Sequence, residues 1–307
     1  MSTPKISIII VVFNAVTILE NTIKSVLNQS YKNLELIIVD GGSSDGTLDI
    51  IKKTSSSKLF WISEPDKGIY DAMNKGIKMA TGEFVYFLGA DDTFYDDKVL
   101  ETIFSDPVNY KYDLLYGNVY ALALKRKYDG EFTKDKILFQ NVSHQAIFYR
   151  KKIHQVVGYY NEKFKTFADW NINIECFFHS DIKVKYIDII IANFAAGGLG
   201  TSQPDLLFLR DYLFPRNLRE LYSKGIKSLK NVYLYDQWWR LIRSLRFGEN
   251  DIELNDYYEA ESLPLILKEM YAFQKRIPSR MIYNGIVSKT AMIMSYCMAR
   301  LKNKFED

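Results

Sequence analysis

The stretch Phe87 to Phe94, FLGADDTF, ends an apolar run with two small residues and then sets two carboxylates, Asp91 and Asp92, side by side. Neighbouring like charges are costly in an apolar setting unless a cation stands beside them. A solvated turn is the alternative. Two carboxylates suit a hard divalent ion, Mg²⁺ or Mn²⁺, which takes a few protein oxygens and shares its other positions with water and ligand phosphate.

The elements around this pair decide which other residues can join it. Ile6 to Val12 is a continuous β-branched run, expected as a strand covered on both faces. Residues 17–29 follow with helical spacing of Ile18, Leu19, Thr22, Ile23, Val26 and Leu27. LELIIVD (34–40), LFWIS (59–63) and EFVYFL (83–88) read as further strands, separated by helices from about Leu48 and over 68–80. The order β-α-β-α-β-α-β predicts an α/β fold with a mostly parallel, Rossmann-like sheet flanked by helices. Ligands in such sheets sit beyond the carboxyl ends of the strands. That rule selects Phe13 and Asn14, Asp40 to Asp45, Glu64 to Lys67, and Asp91 with Asp92.

After residue 112 the pattern becomes mixed. Strands are expected over 113–118, 145–150 and 184–194, with a helix over 168–179, then a glycine-rich break, FAAGGLGTS (194–202). From about 205 the signal is helical. This divides the chain into a sheet-forming domain, 1–204, which carries the strand-end residues, and a helical region, 205–307.

The 307 residues are 48% hydrophobic and 25% charged, which favours neither disorder nor a membrane-embedded class. A net charge of +3 is too small to imply nucleic acid. Between Arg210 and Arg246, however, nine Lys or Arg face three acids, and Trp238 and Trp239 lie among them. Such a segment fits a helix resting on anionic lipid headgroups, or a solvated face with inward-packed tryptophans. The two cysteines, Cys176 and Cys297, lack metal-ligand spacing and fit a reduced, cytoplasmic setting, at the inner face of the cell membrane if the basic segment engages lipid. The apolar ISIIIVVF has no cleavage site after it, and Asn284 and Lys289 interrupt the apolar stretch near the end.

The turn after the first strand, VVFNAVT, has no glycine, so a G-x-G-x-x-G dinucleotide site is disfavoured, and no G-x-x-x-x-G-K-[ST] loop occurs. The runs SIIIVVFNAVTILENTIKSVLNQSYKNLELIIVDGGSSDGT and SEPDKGIYDAMNKGIKMATGEFVYFLGADD, continued by SHQAIFYRK and FADWNINI, resemble the family-2 glycosyltransferases of GT-A fold, in particular those of bacterial surface-polysaccharide biosynthesis. The resemblance covers about residues 5 to 200.

It implies that Phe13 and Asn14 edge a nucleotide pocket, that Asp40 hydrogen-bonds the base, and that Asp66 and Lys67 lie beside ribose and base. Asp45 is left between a ligand contact and a turn or helix cap. Asp71 and Asn74 are expected on the cleft side of their helix, with Lys75 and Lys78 toward solvent. Against the family's D-x-D, Gly89 replaces the first aspartate; the register makes Asp91 the metal ligand and Asp92 a partner touching ribose, donor sugar or ion. Asp169 matches the catalytic base, at a helix start whose dipole would lower its pKa. His144, Gln145, Trp170 and Ser202 fall on the acceptor or diphosphate side, where Trp170 would offer a ring face to a sugar or pack in the core.

The resulting expectation is a metal-dependent, inverting transfer of a sugar from a nucleotide diphosphate donor, UDP-sugar favoured, to a saccharide or lipid-linked hydroxyl acceptor. A catalytically inactive sugar-nucleotide-binding scaffold is the alternative. A nucleotidyltransferase is disfavoured, because it would want a basic, glycine-rich loop where FNAVT stands.

Overall fold

The structure, a computed structural model, describes residues 3–138, 140–195, 205–208, 212 and 213. All of them belong to one compact unit, Met1–Phe214. The first strands form as their composition dictates: β1 (Ile6–Val12) is almost wholly buried, and β2 (Leu34–Asp40) and β4 (Phe84–Leu88) are fully so. β3 (Leu59–Ser63) is the edge strand, and it leaves Phe60 and Trp61 exposed. These four strands run parallel, joined by α1 (Leu19–Leu27), α2 (Thr47–Lys53) and α3 (Ile69–Met79).

Two short elements, β5 (Thr93–Phe94) and α4 (Val99–Phe104), follow the aspartate pair. The second half then adds β6 (Leu114–Ala121), β7 (Arg126–Tyr128), α5 (Lys134–Ile137), β8 (Ile147–Arg150), α6 (Ile153–Val156), α7 (Ala168–Phe178), β9 (Val184–Phe194) and α8 (Leu206–Phe208). Among the described residues the sheet runs β3-β2-β1-β4-β8-β6-β9-β5, with β7 paired to β6. β8 is antiparallel to β4, β6 is antiparallel to β8, and β9 is parallel to β6. Two reversals restore direction, so β6 and β9 end on the same edge as β1 to β4. That edge collects the loops that carry the polar residues, and antiparallel β8 starts there, which brings residues 141–146 to it.

A continuous core lies behind this edge, from Ile8 and Ile10 through Tyr86 and Phe148 to Phe104. Tyr86 stacks on Phe148 at 4.5 Å and on Phe94 at 5.1 Å, so the strands beneath the site are fixed by aromatic contacts worth about 0.5–1.5 kcal/mol each beyond burial. Among the described residues no helix is long and apolar enough to cross a membrane.

Candidate active site

At the end of β1, Phe13 is 64% exposed and Asn14 adopts a left-handed φ of 51°. Asn14 donates its backbone N–H to Ser43 and accepts from the Ser44 N–H through Oδ1, pinning this turn to the loop after β2. Asp45 serves the same loop. It accepts from the Val16 N–H and from both the N–H and hydroxyl of Thr47, so it is a turn and helix-start residue, with its oxygens already engaged.

Asp40 closes β2 at its buried end. It is fully buried, and its carboxylate accepts from the Ser43 N–H, the Ser43 hydroxyl and the Ser63 hydroxyl. Those donors compensate the burial and fix the carboxylate in place. The neighbouring Asp66 is partly exposed instead. Its Oδ1 accepts from the Gly68 N–H at 2.8 Å, while Oδ2 lies only 2.4 Å from where a Cβ on Gly41 would stand. A side chain at Gly41 would displace the Asp66 carboxylate above it, and the Phe13 ring borders the same spot at 3.5 Å. Lys67 is exposed.

In α3, Asp71 accepts from the Lys67 N–H and pairs with Lys75, which also reaches Glu64 at 2.8 Å. Lys75 thus knits the loop before α3 rather than pointing away from it; Lys78 is exposed, as expected. Asn74 is buried and clamps Tyr160 through both N–H and C=O, which removes it from the cleft.

Above Gly89 the two aspartates diverge in environment. Asp91 is exposed, whereas Asp92 is 2% exposed. Asp92 accepts from Gln145 Nε2 at 2.5 Å and from the Ala195 N–H at 2.8 Å. Its Oδ2 and the Asp91 Oδ1 converge on the space a Gly89 side chain would fill, at 2.4 and 3.1 Å from that Cβ position. Burial raises the Asp92 pKa, and Asp91 adds to this, while the Ala195 and Gln145 donors and the charge of His144 oppose it. Two converging carboxylate oxygens with open surroundings at Asp91 fit a divalent ion that completes its shell with phosphate and water. Among the described residues no group of three or more His, Cys, Asp or Glu could hold a metal by itself.

Asp169 stands in the first turn of α7, 8% exposed. Its Oδ1 accepts from the Tyr70 hydroxyl at 3.0 Å and its Oδ2 from Asn141 Nδ2 at 2.7 Å. Burial raises its pKa despite the helix start, and His144, Tyr70, the Trp170 N–H and Asn141 only moderate the rise. Desolvation outweighs the dipole here. Asn141 is itself held by Asn173, which accepts from the Tyr149 hydroxyl at 2.7 Å. His144 is close enough to Asp92 and to Asp169 for its charge to favour the ionised form of each.

Trp170 turns away from this group. Its Nε1–H donates to the Ile137 carbonyl, and its ring packs on Phe208 at 5.4 Å and edge-on to Phe167 at 5.6 Å. It is a core residue, so the sugar-platform expectation is corrected. Asp205 caps the same cluster by accepting from the Thr166 and Phe208 N–H groups. Ser202, its glycine-rich loop and nearly all of the basic segment lie outside the described residues.

The sequence model of glycosyl transferase family 2 matches residues 7–166, just over half the chain. A PGL/p-HBAD biosynthesis glycosyltransferase of Mycobacterium tuberculosis is 36% identical over 216 residues, 68% of this chain and 84% of that protein. The chain belongs to glycosyltransferase family 2. An uncharacterised glycosyltransferase of the same organism is 29% identical and spans 81% of this chain and 97% of its own. Solved structures share the fold: Staphylococcus aureus TarS 1–349 with UDP-GlcNAc (TM-score 0.55, 17% identity, 90% of this chain and 82% of that one) and a Pyrobaculum calidifontis mannosyltransferase with GDP-Man and Mn²⁺ (0.53, 15%, 100% and 89%).

In this family-2 enzyme the sequence alone did not single out Tyr70, Asn141 or Asn173, because their role appears only where α3, the 141–145 segment and α7 meet. The segment NVSHQ is the hub: Asn141 holds Asp169, the Ser143 N–H bonds Asp129, and Gln145 holds Asp92.

Proposed function

We propose that this glycosyltransferase inverts the anomeric centre of a nucleoside diphosphate sugar, a UDP-sugar, as it passes the sugar to the hydroxyl of a saccharide or lipid-linked acceptor. The observation that carries the reading is the gathering of Asp169, His144 and Asp92 at one end of the sheet, with Asp169 buried and its pKa raised. A raised pKa brings a carboxylate closer to what general-base catalysis on an alcohol needs. Each carboxylate oxygen has two acceptor directions, so Tyr70 and Asn141 orient Asp169 without exhausting it.

Asp91, with Asp92 behind it, would hold Mn²⁺ or Mg²⁺, which supplies charge to stabilise the departing diphosphate. His144 favours the anionic form of both flanking carboxylates, and Gln145 fixes Asp92. The base reader is Asp66 in place of the buried Asp40. Its Oδ2 lies over Gly41 beside the exposed Phe13 ring, so a flat base stacked on Phe13 would present one N–H to one free oxygen. Uracil, with a single imide N–H, suits this better than guanine, whose two adjacent donors want both oxygens. Residues 1–204 would carry donor binding and catalysis, and 205–307 acceptor, membrane or self-association contacts.

Calorimetric titration with UDP, GDP, dTDP and CDP, each with Mn²⁺ and with EDTA, tests this. Metal-dependent binding of UDP is expected. Tight binding without nucleoside diphosphate release from any UDP-sugar would favour the inactive-scaffold alternative, and preference for GDP would overturn the Asp66 assignment.

A further inference from the structure

β6 and β7 are joined by a tight four-residue tip, Leu122 to Lys125. Ala121 accepts from the Leu124 N–H, Leu122 accepts from the Lys125 N–H, and Lys125 takes a left-handed φ of 51°. Leu122 is 49% exposed and Leu124 53%, whereas a surface hairpin ordinarily carries polar residues at its turn. Lys125 and Arg126 follow directly. Both are exposed, and among the described residues neither forms an ion pair; Lys127 alone is neutralised, by Asp188 at 2.7 Å. At the base of the hairpin the exposed Tyr95 ring lies 6.2 Å from Tyr120.

We infer that this tip docks the protein on an anionic lipid surface, with Leu122 and Leu124 entering the interface and Lys125 and Arg126 facing the headgroups. Aliphatic residues flanked by unpaired cations and a tyrosine match the amphipathic gradient of a bilayer boundary. The two leucines of a narrow turn fall well short of the roughly 800 Å² that each partner contributes to a stable protein interface. The direction of the hairpin adds a functional consequence. The Leu122 N–H donates to Phe194, and the next residue, Ala195, donates to Asp92, so the tip leaves the sheet at the edge that carries the candidate active site. Docking there would turn the cleft toward the membrane. The inference does not depend on the donor assignment, and it adds a contact distinct from the basic segment after residue 210.

The test uses the full chain with Cys297→Ser and Leu122→Cys, labelled at residue 122 with a polarity-sensitive fluorophore, on phosphatidylcholine vesicles with and without phosphatidylglycerol. A blue shift confined to the anionic vesicles and reversed by salt is expected. Leu122→Ser/Leu124→Ser and Lys125→Glu/Arg126→Glu, made separately in the unlabelled chain, should each lower vesicle partitioning about 10-fold with no change in thermal midpoint. Unchanged emission while the protein still sediments with anionic vesicles would place the contact elsewhere in the chain and overturn the proposal. A shift that follows protein concentration without vesicles would overturn it in favour of self-association.

Discussion

The two halves of the sheet edge hold their carboxylates in different ways. In the donor half, β1 to β3, the acids are fixed mostly by near neighbours: Asp40 by Ser43, Asp45 by Thr47, Asp66 by Gly68. In the second half the bonds span the chain, 99 residues from Tyr70 to Asp169, 53 from Asp92 to Gln145 and 103 from Asp92 to Ala195. In the donor half, among the described residues, only Ser63 on Asp40 and Val16 on Asp45 reach in from other segments. Long-range bonds make these two carboxylates depend on the assembly of α3, α7, β9 and the 141–145 segment, and burial there raises the pKa values of Asp92 and Asp169.

The contrast is broken most severely at Asp169. Asp169→Asn should cut kcat by about 10²-fold or more and leave UDP affinity nearly unchanged, measured by nucleoside diphosphate release and calorimetry; equal losses in both would move the residue out of the chemical step. In the donor half, Asp66→Ala should weaken UDP binding by about 10-fold, at an unchanged thermal midpoint. Asp40→Ala should instead cost about 1–3 kcal/mol of stability, because it strands the half-buried serine donors. If the two variants exchange phenotypes, the base is read by Asp40.

A smaller effect separates orientation from chemistry. The Tyr70 hydroxyl favours ionised Asp169, so Tyr70→Phe should raise that pKa further. A general base acts only when deprotonated, so if Asp169 fills that role the acid limb of the kcat profile should move to higher pH, with a several-fold loss at neutral pH.

The mildest test concerns the hub. Burial pushes the Asp129 carboxyl up to about 6 from 3.8, while Ser143 and Lys136 oppose the rise. The folded state therefore binds this proton more tightly than the unfolded chain does. The contribution to stability is full below about 3.8 and is lost as pH rises through about 6. Asp129→Asn, compatible with the left-handed φ of 91° at this position, should raise the thermal midpoint relative to wild type above pH 6 and flatten the difference below 4. A midpoint difference independent of pH would show that Asp129 does not titrate in that window.

The alternation of β-branched runs with helical spacing was enough to anticipate the parallel β1 to β4 core, because continuous apolar strands are stable only when both faces are covered. The same rule placed Phe13, Asn14, Asp66, Asp91 and Asp92 at one edge. β5, α4 and β7 were not legible, since they are short, and β5 and β7 rest on pairing with β9 and β6 rather than on a pattern of their own. Trp170 shows the limit in one residue: its type allowed a sugar platform or a core ring, and only the packing of Phe208 and the Ile137 carbonyl chose.

The sequence by itself thus determined the kind of sheet and the residue types at its mouth, which follow from local propensity and periodicity. Tertiary structure decided which carboxylates remain available. Asp40 and Asp45 are each held by several donors and Asp91 is exposed, while Asp92 and Asp169 are buried, each held by two side-chain or backbone donors, and made more basic. Availability and basicity depend on which donors arrive from distant segments and on how much water they displace, and neither is a property of a residue and its sequence neighbours.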